Sequence, residues 1–323
     1  MDSNVSKTTF SHKFFKLRFN RQNNLISFKD LLKQNLLSAL DLYQQKNDLS
    51  WTKCPRARLN QDKIVILQSF NFNHGVLLSS PGLSIVYSSS LALFLASQIQ
   101  QSPQIVAKEL VDFLIFQDNN SSFESDAKLL VTTTKSAWLN FCLDSTILAT
   151  WLELTWLWLK TKSVNQVQTE QLATLADTPQ NIFSIQYLHA RCCSLLRLAA
   201  REKLVVLKEN QDCVLKLSSP QSISWLNESQ ILWLKMPPAW NLLHQLLLVA
   251  DLYSSTASVN WVKVGCNLSQ AVAVFEAACP FVASIRDNNP ELAMARVGLL
   301  AITQAWLQII LTENLKVIAP VSL

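Results

Sequence analysis

The residues best suited to chemistry cluster in one stretch, Gln186-Tyr187-Leu188-His189-Ala190-Arg191-Cys192-Cys193-Ser194-Leu195-Leu196-Arg197, with Arg201 one turn beyond. On a helix, His189, Cys193, Arg197 and Arg201 form an i, i+4 ridge, and Tyr187 and Arg191 form a neighbouring one. An aromatic ring, an imidazole and three guanidinium groups on adjoining ridges suit a ligand that offers phosphates and stackable bases, which is RNA. The same pattern suits a core helix whose Arg stems cover apolar surface while their heads reach water. A second stretch, Ala295-Arg296-Val297-Gly298-Leu299-Leu300-Ala301, opens a long apolar helix, where Arg296 either pairs with Glu291 or faces a ligand. Arg56 and Arg58 join the candidate RNA contacts on charge alone. The Trp cluster at Trp151, Trp156 and Trp158 suits core or interface packing.

Several chemistries are excluded by composition. The chain of 323 residues holds 4 glycines, Gly75, Gly82, Gly265 and Gly298. A dinucleotide fingerprint or a P-loop needs glycines within a few residues of one another, so that backbone N–H groups can approach a phosphate. None of these four lies close enough to another, and no G-x-S-x-G elbow is present. No paired carboxylates and no Ser/His/Asp order stand out, so no catalytic residue and no cofactor is assigned. The 7 cysteines show no C-x-x-C spacing, and the histidines, His12, His74, His189 and His244, lie far apart. Buried thiols in a reducing cytoplasm, with no metal site, are the expectation.

Net charge is +5, and it is unevenly spread. Residues 1–63 carry 12 Lys/Arg against 5 Asp/Glu, whereas the remainder carries 16 against 18. A basic first fifth fits a polyanion partner, and fits equally a solvated arm. Residues 164–323 carry 11 Lys/Arg and 11 Asp/Glu, a neutral surface and a poor electrostatic footprint for RNA.

These residues need elements to hold them. Apolar spacing predicts a helix over Ser27–Tyr43, with Ser27 as N-cap, and further helices over Ser90–Gln100 and Gln104–Phe116. Lys63–Phe70, Val76–Leu78, Leu83–Tyr87 and Lys128–Thr134 are strand-like, with Trp138–Leu143 as a continuation of the last. Beyond the polar, Gln/Thr-rich stretch from Ser163 the pattern is almost wholly helical: Ile182–Lys203, Trp225–Leu234, Ala239–Tyr253, Leu268–Phe275 and Pro290–Leu311. Val205–Val206 and Val214–Leu217 are the best strand signals there. The fold class expected is an α+β N-terminal domain followed by an all-α helical bundle. Its boundaries are a basic arm over 1–24, the α+β domain over 25–160, a linker over 161–181 and the bundle over 182–323. The apolar run 297–312 is taken as a buried core helix and not a membrane span.

Those landmarks also carry a family resemblance. The stretch from Ile185 to Arg197, the element Phe275-Glu276-Ala277-Ala278-Cys279-Pro280, and a last helix from Ala295-Arg296 ending in Ile318-Ala319-Pro320 resemble, in that order, the DALR anticodon-binding domain of arginyl-tRNA synthetases. The front half is similar to the N-terminal additional domain of the same enzymes through Tyr87-Ser88-Ser89-Ser90-Leu91-Ala92, Leu95-Ala96, Pro103 and Ile105-Val106-Ala107. Lys135-Ser136-Ala137-Trp138-Leu139-Asn140-Phe141 stands where that family has a Gly-x-Gly-Phe-Ile-Asn-Phe strand, with both glycines replaced. Between the two halves the class I catalytic domain is missing: His74-Gly75 is not followed by His, and Lys235-Met236 is followed by Pro237-Pro238. The resemblance implies a non-catalytic protein that contacts a tRNA anticodon stem-loop through its helical bundle. It also implies Tyr187, His189, Arg191, Arg197 and Arg296 as contacts, with Arg201 added from helix geometry. A protein–protein module that keeps these folds without RNA binding, docking on a true aminoacyl-tRNA synthetase or another protein, is the alternative.

Overall fold

The computed structural model describes residues 13–16, 27–46, 66–71, 84–119, 128–162, 179–209 and 215–322. The chain divides into two compact units, residues 1–147 and 148–323. Arg56, Arg58, most of the arm over 1–24, most of the linker, and the strand expected at Val76–Leu78 lie outside the described residues.

The first unit is built on a five-stranded antiparallel sheet in the order β1-β4-β5-β3-β2, where β1 is Lys13–Lys16, β2 Ile66–Asn71, β3 Ser84–Ser89, β4 Lys128–Thr133 and β5 Leu139–Leu143. Lys13–Lys16, inside the stretch expected as an arm, pairs with β4 at the sheet edge. The expected single run from Lys128 through Leu143 is instead two strands. Thr134 turns the chain by accepting from Trp138 N with its side chain, and Ala137 takes a left-handed φ of 60°. Strand β5 alternates, with Leu139, Phe141 and Leu143 buried and Asn140 and Cys142 half-buried, as a sheet with one covered face requires. Helices α1 (Phe28–Lys46), α2 (Leu91–Ile99) and α3 (Pro103–Asn119) supply the apolar partners. Ser27 caps α1 by accepting from Asp30 N at 3.0 Å, and Phe28 packs its ring 5.2 Å from Tyr87.

Helix α4 (Ser145–Thr161) starts in the first unit and belongs to the second from Leu148 on, so the division precedes the expected linker. The second unit then runs α5 (Pro179–Arg201), β6 (Val206–Glu209), β7 (Leu215–Ser219), α6 (Pro237–Tyr253), α7 (Trp261–Ala278), the short α8 (Ser284–Asn288) and α9 (Pro290–Ile309). A π-helical turn, Ile310–Asn314, extends α9. The unit is mostly helical, and β6 and β7 pair as an antiparallel two-stranded sheet, so it is not purely α. The helix expected over Trp225–Leu234 is absent. Asn227 accepts from Ile231 N through its side chain, Gln230 takes φ 57°, and Leu226 bridges Leu232. A tight turn closed by Asn227, whose backbone also exchanges hydrogen bonds with Gln230 and Ile231, thus beats an apolar period under three helical turns long.

Helix α9 is apolar on nearly every side and sits at the centre of the bundle. With its π turn it is long and apolar enough to cross a membrane, yet 89% of its most apolar 18-residue stretch is buried. Two glycines permit the closest approaches. A Cβ on Gly265 of α7 would sit 2.6 Å from Ile185 Cδ1 of α5, and one on Gly298 of α9 would sit 2.8 Å from Trp225 Cη2. Because Ile185 meets Gly265 and Arg191 meets Glu276, α5 and α7 run in the same direction. Ile310 also meets Gly265 while His189 meets Gln304, so α9 runs against them.

Candidate nucleic-acid interface

Helix α5 carries five of the residues singled out by sequence, and the bundle distributes them around its circumference. The side toward α7 holds Ile185 and Arg191; the side toward the C-terminal segment holds Gln186, His189 and Arg197; Phe183, Tyr187, Ser194 and Arg201 face outward. The two ridges drawn from the sequence therefore do different work.

His189 is fully buried. Its Nδ1 lies 2.8 Å from Pro320 O, a carbonyl that can only accept, so Nδ1 carries the proton. Nε2, 2.8 Å from Gln304 Nε2, then accepts from that amide, which also donates to Gln308 Oε1. Burial pushes the His189 pKa down to about 4, so the ring is neutral at physiological pH. Two neighbours complete the hold on the chain end. Gln186 Nε2 donates to Ile318 O at 2.8 Å, and Arg197 Nη1 donates to Val321 O at 2.8 Å. Three side chains on one face of α5 thus bind three carbonyls of the segment after the π turn. His189 is a clasp and not an RNA contact, because its ring has no solvent edge and both nitrogens are engaged.

Arg296 is likewise corrected. It is buried, its Nη1 donates to Pro280 O, and burial pulls its pKa below the usual guanidinium range. Its role is to pin the Cys279-Pro280 turn that ends α7; it neither pairs with Glu291 in the structure nor reaches solvent. Cys192 and Cys193, the thiols beside these groups, are buried and free, and burial pushes Cys193 up to about 12, so both behave as small apolar residues. Among the described residues no group of three or more His, Cys, Asp or Glu could hold a metal.

What remains on the surface runs along α5. Tyr187 is 50% exposed and Phe183, one turn earlier, is 53% exposed. Arg191, one turn later, is half-exposed and bonds the Glu276 carboxylate of α7 through Nε at 2.8 Å and Nη2 at 2.5 Å. That carboxylate holds the Arg191 guanidinium above its usual range. Arg201 is exposed at the end of the helix. Val274 on α7 and Ile318 in the C-terminal segment add exposed apolar side chains to the flanking elements. The sequence reading missed Phe183 and Glu276. The i−4 spacing of Phe183 from Tyr187 was a signal for the first; nothing local announces that Glu276 meets a residue 85 positions earlier.

The Trp cluster fixes α4 to the second unit. Trp151 and Trp156 are buried, and Trp156 Nε1 donates to Gln221 O while Glu153 accepts from Trp225 Nε1 at 3.2 Å. Trp158 stacks on Trp306 with ring centroids 5.4 Å apart. Lys162 sits over the Trp158 and Tyr253 rings and bridges to Glu313 at 3.1 Å.

A stretch of this chain is similar to an arginine-tRNA ligase. The relative, from Gloeobacter violaceus, is 29% identical over 136 residues, which is 41% of this chain and 20% of the ligase. The chain therefore spans about a fifth of that relative's length. No family profile matches the chain, and no solved structure matches it.

Proposed function

We propose that the chain is a non-catalytic, tRNA-binding relative of arginine-tRNA ligases that contacts the anticodon stem-loop through a DALR-like second unit in the cytoplasm. The observation that carries this reading is the exposed run Phe183, Tyr187, Arg191 on one helix, two rings that bases stack on followed by a guanidinium. Similarity to an arginine-tRNA ligase supports tRNA as the partner. The contacts under this reading are Tyr187, Arg191 and Arg201, with Phe183 added; Arg197 acts by holding the C-terminal segment, and Arg56 and Arg58 remain candidates on charge. Aminoacylation by this chain alone is not part of the proposal, because the sequence lacks the glycine-built phosphate cradles and the class I signatures.

A second reading has its own observation. The second half of the chain is electrically neutral, and Arg191, its best-placed cation, is already paired with Glu276. Such a surface also fits a protein partner, a true synthetase among them. Filter binding of labelled total tRNA across a salt series, with Tyr187→Ala and Arg191→Ala alongside, separates the two. Binding lost in both variants supports the RNA reading; no affinity at low salt discards it in favour of the protein partner.

A further inference from the structure

We propose that residues 317–322 are an exchangeable ligand of α5, and that two copies of this chain pair by lending this segment to each other. The inference goes beyond the RNA-binding reading and does not depend on it. The seat of the segment is made through its backbone. Gln186 Nε2, His189 Nδ1 and Arg197 Nη1 each meet a carbonyl at 2.8 Å, those of Ile318, Pro320 and Val321. Gln304 holds the His189 ring from its other nitrogen, so that donor is fixed by α9 and not by the segment it binds. The segment, Val-Ile-Ala-Pro-Val-Ser, carries no charge, so moving it separates no ion pair. What α5 offers is therefore a row of donors for an extended backbone, and every copy of the chain carries both the row and the segment that fits it.

The hinge is a single residue under strain. Val317 N donates back across the end of the π turn to Leu311 O at 2.9 Å, a closure made by the left-handed Lys316, whose φ is 56°. Helices often end on a left-handed residue, but glycine is the usual one, because a Cβ there crowds the following carbonyl oxygen. A short connection favours the closed form, in which the segment sits on its own α5. The strained Lys316 works against it. Exchange keeps the same three carbonyl contacts, formed between copies, and lets each Lys316 relax to negative φ. Equal contacts in both forms and a strained short hinge are the conditions under which protomers swap an element.

The test follows the full chain by analytical ultracentrifugation at concentrations up to about 1 mM, the effective concentration that a short tether supplies. Wild type is expected to dimerise as concentration rises. Lys316→Gly removes the strain of the closed form and should weaken dimerisation about tenfold or more, since each dimer relieves two hinges. Lys316→Pro cannot take a positive φ and should strengthen it. Should the proline variant not fold, the comparison of wild type with Lys316→Gly decides. Isotopically heavy and light copies, each with a photo-reactive amino acid in place of Ile318, are then mixed and irradiated. Cross-links from that position to α5 are expected between the two labels. Monomers at every concentration, dimers equally strong in wild type and Lys316→Gly, or cross-links to α5 that never join the two labels would overturn the inference.

Discussion

Acidification should loosen the second unit through His189, and the size of the effect follows from its surroundings. The ring is held neutral in the fold with its pKa lowered from 6.5 to about 4, whereas the unfolded chain keeps the ordinary value. A base whose folded pKa is depressed stabilises the fold above its unfolded pKa. As pH falls below about 6.5 the unfolded state takes up a proton that the native state refuses. Stability then drops by about 1.4 kcal/mol per pH unit until the folded ring also protonates near 4. The full loss is about 3 kcal/mol over that window, and about 2 kcal/mol of it falls between pH 6.5 and 5. The assay is urea unfolding followed by Trp fluorescence at several pH values between 7.5 and 5, for wild type and His189→Asn. Asn keeps a donor for Pro320 O and has no proton to gain. The wild-type curve should fall toward acid more steeply than the variant's by about 2 kcal/mol. His244, also lowered by burial, adds the same sign to both curves and cancels in the difference. Parallel curves for the two proteins would refute the assignment of a neutral, doubly engaged ring.

Other expectations concern packing and charge. Gly298→Ala should lower stability by about 1–3 kcal/mol, because its Cβ would press on the rigid Trp225 ring; Gly265→Ala meets the end of a flexible Ile185 side chain and should cost less, as paired thermal melts would show. Lys162→Met and Glu313→Gln should each destabilise the second unit, and a double-mutant cycle should return a coupling of about 0.5–3 kcal/mol; additive effects would mean the pair contributes nothing of its own. Arg296→Ala should cost stability by orphaning the Pro280 carbonyl, whereas Arg191→Ala should leave the melting temperature nearly unchanged and weaken RNA binding; the reverse pattern would exchange their roles.

Much of the local structure was legible before any coordinates. Helix α1 begins at the Ser27 cap, and α5, α6 and α9 fall where their apolar periods place them, because a 3.6-residue period held over several turns can bury only as a helix. The errors were short-range competitions. Asn227 and Gln230 turned a ten-residue apolar stretch into a loop, and Thr134 with Ala137 folded one expected strand into two. In both places a side chain satisfied backbone groups that the regular element would otherwise have claimed.

By itself the sequence determined a glycine-poor chain without the usual glycine-built phosphate cradles, and placed aromatic, imidazole and guanidinium groups on one helix. Helical spacing says which residues share a face; it does not say what that face meets. Only the tertiary structure decided that the His189–Arg197 ridge turns toward the C-terminal segment and that Arg296 is spent on a backbone carbonyl. It decided, too, that Arg191 reaches solvent in the company of Glu276. The physical reason is that burial and partner choice depend on contacts between residues far apart in the chain, 131 positions for His189 and Pro320 and 85 for Arg191 and Glu276. Those contacts convert identical residue types into a clasp in one place and a half-exposed ion pair in another.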